Sequence, residues 1–285
     1  MMNFIQNIFK KSNVGTIIFF LLNIMFILII FAEGGRNTLL VVFAIYIASV
    51  LLSFSPFGEW ILCFFAGAKK ITRVDIQNRI LPFINTVHKS AMKQTPNMTD
   101  VIETRIIYTS DVKAYAIGRK TICVTEGLLR QSDGIILGVL SHEMAHLAHR
   151  HTEVQLLIGG GNFFITAFIL LLKGFALIIA GVSIISGIRN RSFMTAAVGV
   201  LVAGVIWLWT KFCMLFLSWS MRENEYVADA YATKIGYGLE LAKALDITSR
   251  GQPQTSFLKA IYSTHPNPHD RIGRLQQMGV PYSSY

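Results

Sequence analysis

Four long blocks of apolar residues constrain the fold of this 285-residue chain more than any other feature. A helix that crosses a bilayer needs about 20 mostly apolar residues, because hydrocarbon offers the backbone no hydrogen-bond partners. The blocks lie at about 15–32 and 38–54, within 156–185, and at about 195–219. They predict a mostly α membrane protein with four transmembrane or membrane-embedded helices.

The composition agrees with a membrane protein. Hydrophobic residues make up 53% of the chain and charged residues 15%, whereas ordinary soluble domains carry about 25% charged residues. The net charge of +10 does not indicate a nucleic-acid partner, since the basic residues flank the apolar blocks and form no stripe with aromatic residues. Three cysteines make no disulfide framework, which is compatible with a catalytic part in the reducing cytosol.

The charges around the first two blocks predict their orientation. Lys10 and Lys11 precede the first block, and Lys69, Lys70 and Arg73 follow the second. No small-residue cleavage site follows the first block, so we interpret the pair as a retained hairpin and not as a signal peptide. The positive-inside rule then places both ends of the hairpin, and the region after it, in the cytoplasm.

The third and fourth blocks allow two interpretations. Arg189 and Arg191 lie in the turn between them, Lys173 interrupts the third block, and three glycines at 159–161 weaken its start. The pair either spans the membrane or forms a partly embedded hairpin. We therefore divide the chain into four parts: an N-terminal transmembrane hairpin (1–68), a first catalytic part (69–152), a second membrane hairpin (153–219) and a second catalytic part (220–285).

The first catalytic part contains helix and strand patterns. An amphipathic pattern predicts a helix over 71–93 that is kinked or broken at Pro82. Residues 105–108 and 114–124 are rich in β-branched and aromatic side chains and predict two or three short strands. A further helix begins near Gly134. Together these patterns predict an α+β domain.

The helix that begins near Gly134 carries the sequence His142-Glu143-Met-Ala-His146. Residues four apart share one face of a helix, so both histidines can direct imidazole nitrogens at one metal ion. Glu143 is rotated away from this pair and can reach a water molecule at the metal without being a ligand. Zinc makes such a water more acidic, and the carboxylate can accept its proton during attack on a peptide carbonyl.

A catalytic zinc needs a third protein ligand. His149 and His151 lie off the face shared by the first two histidines, and we expect both in solvent or facing lipid headgroups. Glu225 and Asp229 are better candidates, because they lie four apart on a helix predicted over 223–235. One carboxylate can bind the metal while the other orients a ligand histidine. An ordinary solvated helix face has the same spacing and stays a second interpretation.

The sequence H-E-M-A-H followed by E-Y-V-A-D resembles the HtpX-type membrane zinc proteases, which are gluzincins related to the CAAX prenyl proteases. The order of apolar blocks and motifs is similar over nearly the whole chain. The resemblance implies a mostly α membrane protein with a zincin-like α+β catalytic domain. The resemblance implies one zinc ion per chain held by His142, His146 and Glu225. It also implies that Glu143 acts as general base and that Asp229 orients a ligand.

Two further segments are similar to that family. Thr264-His265-Pro266 with Arg271 resembles a segment thought to stabilise the oxyanion, which makes His265 and Arg271 candidate catalytic residues. The segment Lys113-Ala114-Tyr115-Ala116 resembles the active-site edge strand, to which an extended substrate can add by backbone hydrogen bonds. Lys113, Ala114 and Tyr115 are therefore candidate substrate-binding residues. The family usually has Asn where this chain has Lys113, and the change can favour acidic substrate segments.

The resemblance implies a zinc metalloendopeptidase that hydrolyses misfolded or damaged membrane proteins and unfolded polypeptides. It implies a multi-pass protein of a bacterial inner membrane, in contact with the lipid bilayer, with its active site facing the cytoplasm. It fixes no oligomeric state. Two alternatives stay open: a CAAX-prenyl-protease-like processing enzyme, for which four spans are few, and a non-catalytic, zinc-stabilised membrane adaptor or chaperone, which has no need of Glu143.

Overall fold

The computed structural model describes residues 10–158, 163–189, 193–249 and 265–283. Within these ranges, three helical segments are long and apolar enough to cross a bilayer: Lys11–Ser53, Ala167–Arg189 and Ala203–Lys234. Their apolar side chains are mostly exposed in the isolated chain, which is the pattern expected of helices that face lipid.

The first segment contains both predicted N-terminal helices. Helix α1 (Val14–Phe31) and helix α2 (Gly35–Ser53) are joined by a 3₁₀ turn at Ala32–Gly34. Gly35 has φ +74°, a conformation that residues with a side chain rarely adopt, and it breaks the helical path. Helix α1 packs more extensively against a late helix, α9 (Phe193–Lys234), than against α2. A short apolar helix that the sequence did not predict, α3 (Pro56–Phe65), follows α2.

The third and fourth apolar blocks form α8 (Phe163–Arg189) and α9, which pack against each other along the most extensive helix contact of the described chain. Their membrane-length parts contain 23 and 32 residues. At 1.5 Å per residue these lengths favour spanning helices over a partly embedded hairpin. Helix α9 continues without interruption from the membrane part into the catalytic part, so one rigid element connects the two.

The catalytic part combines helices with a small sheet. Its elements in chain order are β1 (Lys69–Lys70), α4 (Val74–Gln94), β2 (Glu103–Ile107), β3 (Ala114–Ile117), β4 (Thr121–Thr125), α5 (Glu126–Leu129), α6 (Asp133–Ala148), α7 (His151–Leu156), α10 (Gly238–Ser249) and α11 (Pro268–Gln277). The strands predicted within 105–108 and 114–124 are confirmed. Of the kink or break predicted at Pro82, the break is wrong, because α4 continues through this residue. Thr86 Oγ1 donates to the Pro82 carbonyl at 2.8 Å, one turn further along the helix.

The sheet has the strand order β1-β2-β4-β3. Strand β4 lies in the middle, parallel to β2 and antiparallel to β3, and all five of its residues are buried. Strand β3 is an edge strand, so one side of its backbone is not paired with another strand of the sheet.

The core of the catalytic part lies between α4, α6 and the sheet. Helix α4 buries a stripe at helical spacing, including Ile80, Ile84 and Val87, against α6. On its other side α6 approaches α10 closely at Gly138, where a Cβ atom would collide with the backbone of Glu240. The position of α6 is therefore fixed on both sides. The mostly α fold with a small sheet and membrane-length helices agrees with the predicted class.

Candidate metal centre

Helix α6 presents His142 and His146 on one face, as the four-residue spacing predicts. Both side chains are buried, and their Nε2 atoms lie 3.1 Å apart. Ser132 precedes the helix in an extended conformation, and the first turn carries Asp133. Because α6 is packed on two sides, the two imidazoles are held in a fixed orientation toward α9.

Helix α9 supplies the third group. Glu225 Oε2 lies 3.4 Å from His142 Nε2, and Glu225 Oε1 lies 3.4 Å from His146 Nε2. One atom from each of these three buried residues lies within 4.8 Å of the other two. The structure thus brings together two residues of α6 and one from about eighty positions later in the chain.

The chemistry of this group fits a metal ion. Two imidazole nitrogens and a carboxylate are a common donor set for zinc. Glu225 Oε2 is buried and accepts no hydrogen bond, although cationic groups lie near it. Buried polar atoms normally have a partner, and a cation between the carboxylate and the two imidazoles would provide one.

Asp229 occupies the far side of His142. Its Oδ1 lies 3.0 Å from His142 Nδ1, so Asp229 can hold the ring with Nε2 toward the centre. Burial and Arg271 lower the pKa of His142, but Glu225 and Asp229 raise it more, to about 10. The carboxylates therefore make this centre strongly attractive to positive charge.

Arg271 of α11 holds the carboxylates in place. Its Nε donates to Asp229 Oδ2 at 2.8 Å and its Nη2 donates to Asp229 Oδ1 at 2.6 Å, while Nη1 lies 3.2 Å from Glu225 Oε2. The guanidinium is buried; burial lowers its pKa, but the two carboxylates raise it above its ordinary value. A fork-to-fork pair of this kind fixes both partners.

His265 also reaches the centre. Its Nδ1 lies 3.2 Å from Glu225 Oε2, and its side chain is 71% exposed. The contact with Glu225 raises the pKa of His265 more than burial lowers it. Thr264, the residue before it in the predicted motif, lies outside the described residues. His265 is thus at the solvent side of the group, in contrast to Arg271.

Glu143 points toward the sheet. Its Oε2 accepts a hydrogen bond of 2.7 Å from the backbone N–H of Ala116 on β3. The backbone of Lys113 faces β4, since Thr125 N–H donates to its carbonyl at 3.1 Å. Along a strand, the N–H and C=O groups of successive residues point to opposite sides. Because those of Lys113 point to β4, those of Ala114 and Ala116 point to the open edge, where Ala116 meets Glu143. Ala116 belongs to the segment that resembles the active-site edge strand, and its hydrogen bond to Glu143 is a contact that the sequence pattern does not predict.

His151 is not in solvent or at a headgroup, and that expectation is wrong. It is 2% exposed, and its Nδ1 lies 3.1 Å from Nδ1 of His146. Arg150 has φ +57°, a left-handed conformation that separates α6 from α7. The change of chain direction at Arg150 brings the ring of His151 against that of His146. The position of His151 relative to His146 does not follow from helical spacing, because α6 ends at Ala148, between these two residues. His149 is part-buried, and its ring contacts His151 and Tyr231.

The contact between His151 and His146 leads to a prediction about metal affinity. An imidazole that binds a metal through Nε2 donates its Nδ1–H to an outer partner, and loss of such a partner typically lowers affinity about 10- to 100-fold. We expect His151→Ala to show this loss in competition with a chromogenic zinc chelator, with partial recovery in His151→Asn, whose amide oxygen can accept. His88→Ala is the control, since His88 lies on α4 and its Nε2 contacts the Thr99 carbonyl. Equal affinity of the two alanine variants would contradict the assignment.

A small cavity of about 60 Å³ opens beside two of the three metal-ligand candidates, His146 and Glu225. Its wall includes Thr16 from α1, His151 from α7, and Asn224 and Glu225 from α9. Asn224 Nδ2 donates to Asn13 Oδ1 at 2.9 Å, so the start of the first membrane segment is tied to the helix that carries Glu225. The centre is therefore built at the junction of the membrane and catalytic parts.

Comparison with known proteins identifies the family. The profile described as peptidase family M48 matches residues 74–279. The chain is 25% identical to a protease HtpX homolog of Salinibacter ruber, over 90% of this chain and 93% of that protein. It is 27% identical to a protease HtpX homolog of Halobacterium salinarum, over 92% of this chain and 99% of that protein.

A solved structure shares the fold. The crystal structure of S. mikatae Ste24p matches with a TM-score of 0.53 and 19% identity, over 89% of this chain. The chain spans 62% of the length of that protein. The family match, the full-length relatives and the three apolar helical segments agree with an integral membrane protein that takes peptide substrates. The chain belongs to peptidase family M48 and is an HtpX-like membrane metalloprotease.

Proposed function

We propose that this M48 protease uses one zinc ion, held by His142, His146 and Glu225, to hydrolyse peptide bonds in misfolded or damaged membrane proteins. The observation that carries the proposal is the convergence of the three ligand atoms within 4.8 Å, beside the carboxylate of Glu143. Zinc, when bound, supplies Lewis acidity, which makes a water molecule more acidic and polarises the scissile carbonyl.

Glu143 is proposed as the general base and then the general acid. Glu143 follows the candidate ligand His142 in α6, and its Oε2 accepts a hydrogen bond from Ala116 N–H on the edge strand. In this role it takes the proton of the attacking water and delivers it to the leaving amine nitrogen. The Ala116 bond supports the role, since it orients the carboxylate before substrate arrives.

The open edge of β3 is proposed as the substrate-binding strand. Ala114 and Ala116 direct main-chain groups outward, so an extended peptide can add as a further strand and place its carbonyl near Glu143. Recognition through backbone groups selects for unfolded segments and not for particular sequences. Tyr115 and Lys113 then contribute side chains; Lys113 is half-exposed, 3.7 Å from Asp111, and favours acidic segments.

His265 and Arg271 are proposed to stabilise the oxyanion in different ways. His265 lies at the solvent side of the centre, where a substrate carbonyl can approach, and its contact with Glu225 favours the protonated, donating ring. The guanidinium of Arg271 is engaged by Asp229 and Glu225. We therefore assign Arg271 mainly to positioning of the two carboxylates.

We also propose a cytoplasmic active site in a bacterial inner membrane. Lys10 and Lys11 precede the first membrane segment, and Lys69 and Lys70 follow α3, so positive charge lies on the side of the catalytic part. The four-part division at residues 68, 152 and 219 follows from the same arrangement. The contact of Asn13 with Asn224 supports it, because it keeps the start of α1 on the catalytic side.

Neither alternative function is favoured by a specific feature. The similarity to Ste24p would be the support for a CAAX-type processing enzyme, but this chain spans only 62% of that protein. It matches the HtpX homologs over nearly their whole length. A non-catalytic adaptor has no need of a general base, whereas this chain has Glu143 in the H-E-x-x-H motif, with its carboxylate bonded to the open edge strand.

The test of this function uses the full chain in proteoliposomes and a single-span substrate with a cytosolic domain in a folded or a destabilised form. We expect the destabilised form to be cleaved faster, cleavage to stop with a zinc chelator, and zinc to restore it. Equal cleavage of both forms would sink the quality-control role, and cleavage that persists in the chelator would sink the zinc mechanism.

A further inference from the structure

Helix α3 presents two chemically different faces. Phe57, Trp60, Phe64 and Phe65 are between 49% and 81% exposed. Their rings stack in succession, with centroids 5.6 Å apart for Phe57 and Trp60 and 5.7 Å apart for Trp60 and Phe64. Four exposed aromatic residues on a ten-residue helix form a continuous apolar patch, which a water-facing surface does not normally carry. We call these four residues the aromatic face.

The opposite face of α3 is attached to the β3–β4 hairpin. Glu59 accepts a hydrogen bond of 2.5 Å from Thr121 Oγ1 and one of 3.4 Å from Arg119 N–H. Cys63 is buried against Ile117 and Cys123 in a small cluster of its own. The helix is therefore attached to the hairpin that contains the edge strand β3, while its aromatic face points away from it.

The place of α3 in the chain identifies what covers the aromatic face. Helix α2, part of a membrane-length segment, ends at Ser53, and α3 begins at Pro56. Ten residues span about 15 Å, which is too short to cross the roughly 30 Å hydrocarbon layer. The exposed Lys69 and Lys70 follow, where anionic headgroups can meet them. Aromatic residues on one face with basic residues beside them are typical of a helix in the membrane interface.

We propose that α3 lies in the plane of the membrane interface, with its aromatic face in the headgroup–acyl boundary, and holds strand β3 at the bilayer surface. The hairpin contacts of Glu59 and Cys63 transmit this position to the edge strand. A peptide that emerges from the membrane then meets the open edge of β3 next to the bilayer. This consequence for substrate choice rests on the proposed protease function; the docking of α3 does not.

Trp60 provides a direct probe. The chain has four tryptophans, and a variant with Trp207, Trp209 and Trp219 replaced by Phe keeps Trp60 alone. In proteoliposomes we expect lipids brominated near the headgroup to remove at least about half of its emission, while iodide in the water has little effect. Quenching by iodide without quenching by the brominated lipid would place the face in water and overturn the proposal. Resistance to both quenchers would place it under protein, a second copy or another partner, and would also overturn it.

A functional comparison tests the consequence. We expect a variant with serine at all four positions of the aromatic face to lose at least about tenfold in kcat/KM on a peptide tethered to the bilayer, with no change on the same peptide free in solution. The control is Val101→Ser with Met278→Ser, two exposed apolar residues away from α3. Equal losses on both peptides would overturn the proposed consequence for substrate choice.

The two experiments separate the proposals. The fluorescence measurement needs no proteolysis and no folded serine variant, so it decides the docking of α3 by itself. If the wild-type chain cleaves neither peptide, the protease function fails, and the Trp60 result still stands.

Discussion

Glu143→Gln is expected to lower kcat/KM by about 10²–10⁴ while the protein folds and binds its metal normally. The amide keeps the size of the side chain and can still contact the Ala116 N–H. It cannot accept a proton from the attacking water, and general acid–base catalysis contributes a factor of this order. The measurement is the rate of casein cleavage by the detergent-purified variant, compared with wild type.

The control for this substitution is Glu126→Gln. Glu126 is partly exposed and forms a surface ion pair with Arg130, and such pairs contribute less than about 1 kcal/mol. Its activity should match wild type. Unchanged cleavage by Glu143→Gln would contradict the proposed role of Glu143 as general base.

Arg271→Ala is expected to give the largest loss of stability. Arg271 is buried and pairs with Asp229 through two hydrogen bonds while its Nη1 lies near Glu225. Removal of one partner of a buried ion pair typically costs about 3–5 kcal/mol, because the remaining charge has no compensation. We expect the Tm of the detergent-solubilised variant to fall by roughly 10 °C.

Arg271→Lys and Arg130→Ala sharpen that experiment. Lysine keeps the charge but contacts a carboxylate at one point, so it should recover only part of the stability. Arg130 is exposed and its loss should change Tm little. A Tm for Arg271→Ala equal to that of Arg130→Ala would contradict the positioning role of Arg271.

Sequence periodicity predicts most of the elements but not how they meet. The spacing of His142 and His146 and of Glu225 and Asp229 depends only on helical geometry, so it can be read from residue numbers. The turn at Arg150 cannot be predicted in this way, because a left-handed conformation is usually signalled by glycine and this position has arginine. The expectation for His151 was wrong for this reason. Contacts within one regular element are predictable from its period, whereas contacts across a break are not.

Helix α3, which follows the first membrane segment, is another case in which contacts between elements could not be predicted from sequence. Helix α3 follows a long apolar block after two residues, and a hydropathy argument assigns its aromatic residues to the end of that block. The packing of Glu59 and Cys63 on the β3–β4 hairpin shows which face of α3 contacts protein and which face, the aromatic one, is exposed. In the same way, the hydrogen bond between Ala116 and Glu143 could not be predicted, because it depends on the packing of α6 against β3.

The central claim is that a zinc ion at His142, His146 and Glu225 carries out proteolysis. Its most direct test is the zinc content of the purified chain, measured by elemental mass spectrometry beside chelator-sensitive cleavage of casein. We predict about one zinc per chain in wild type and in Glu143→Gln, much less in His142→Ala, and cleavage by wild type alone. A wild-type chain that cleaves casein without bound zinc, or one for which His142→Ala retains full zinc and activity, would contradict the claim.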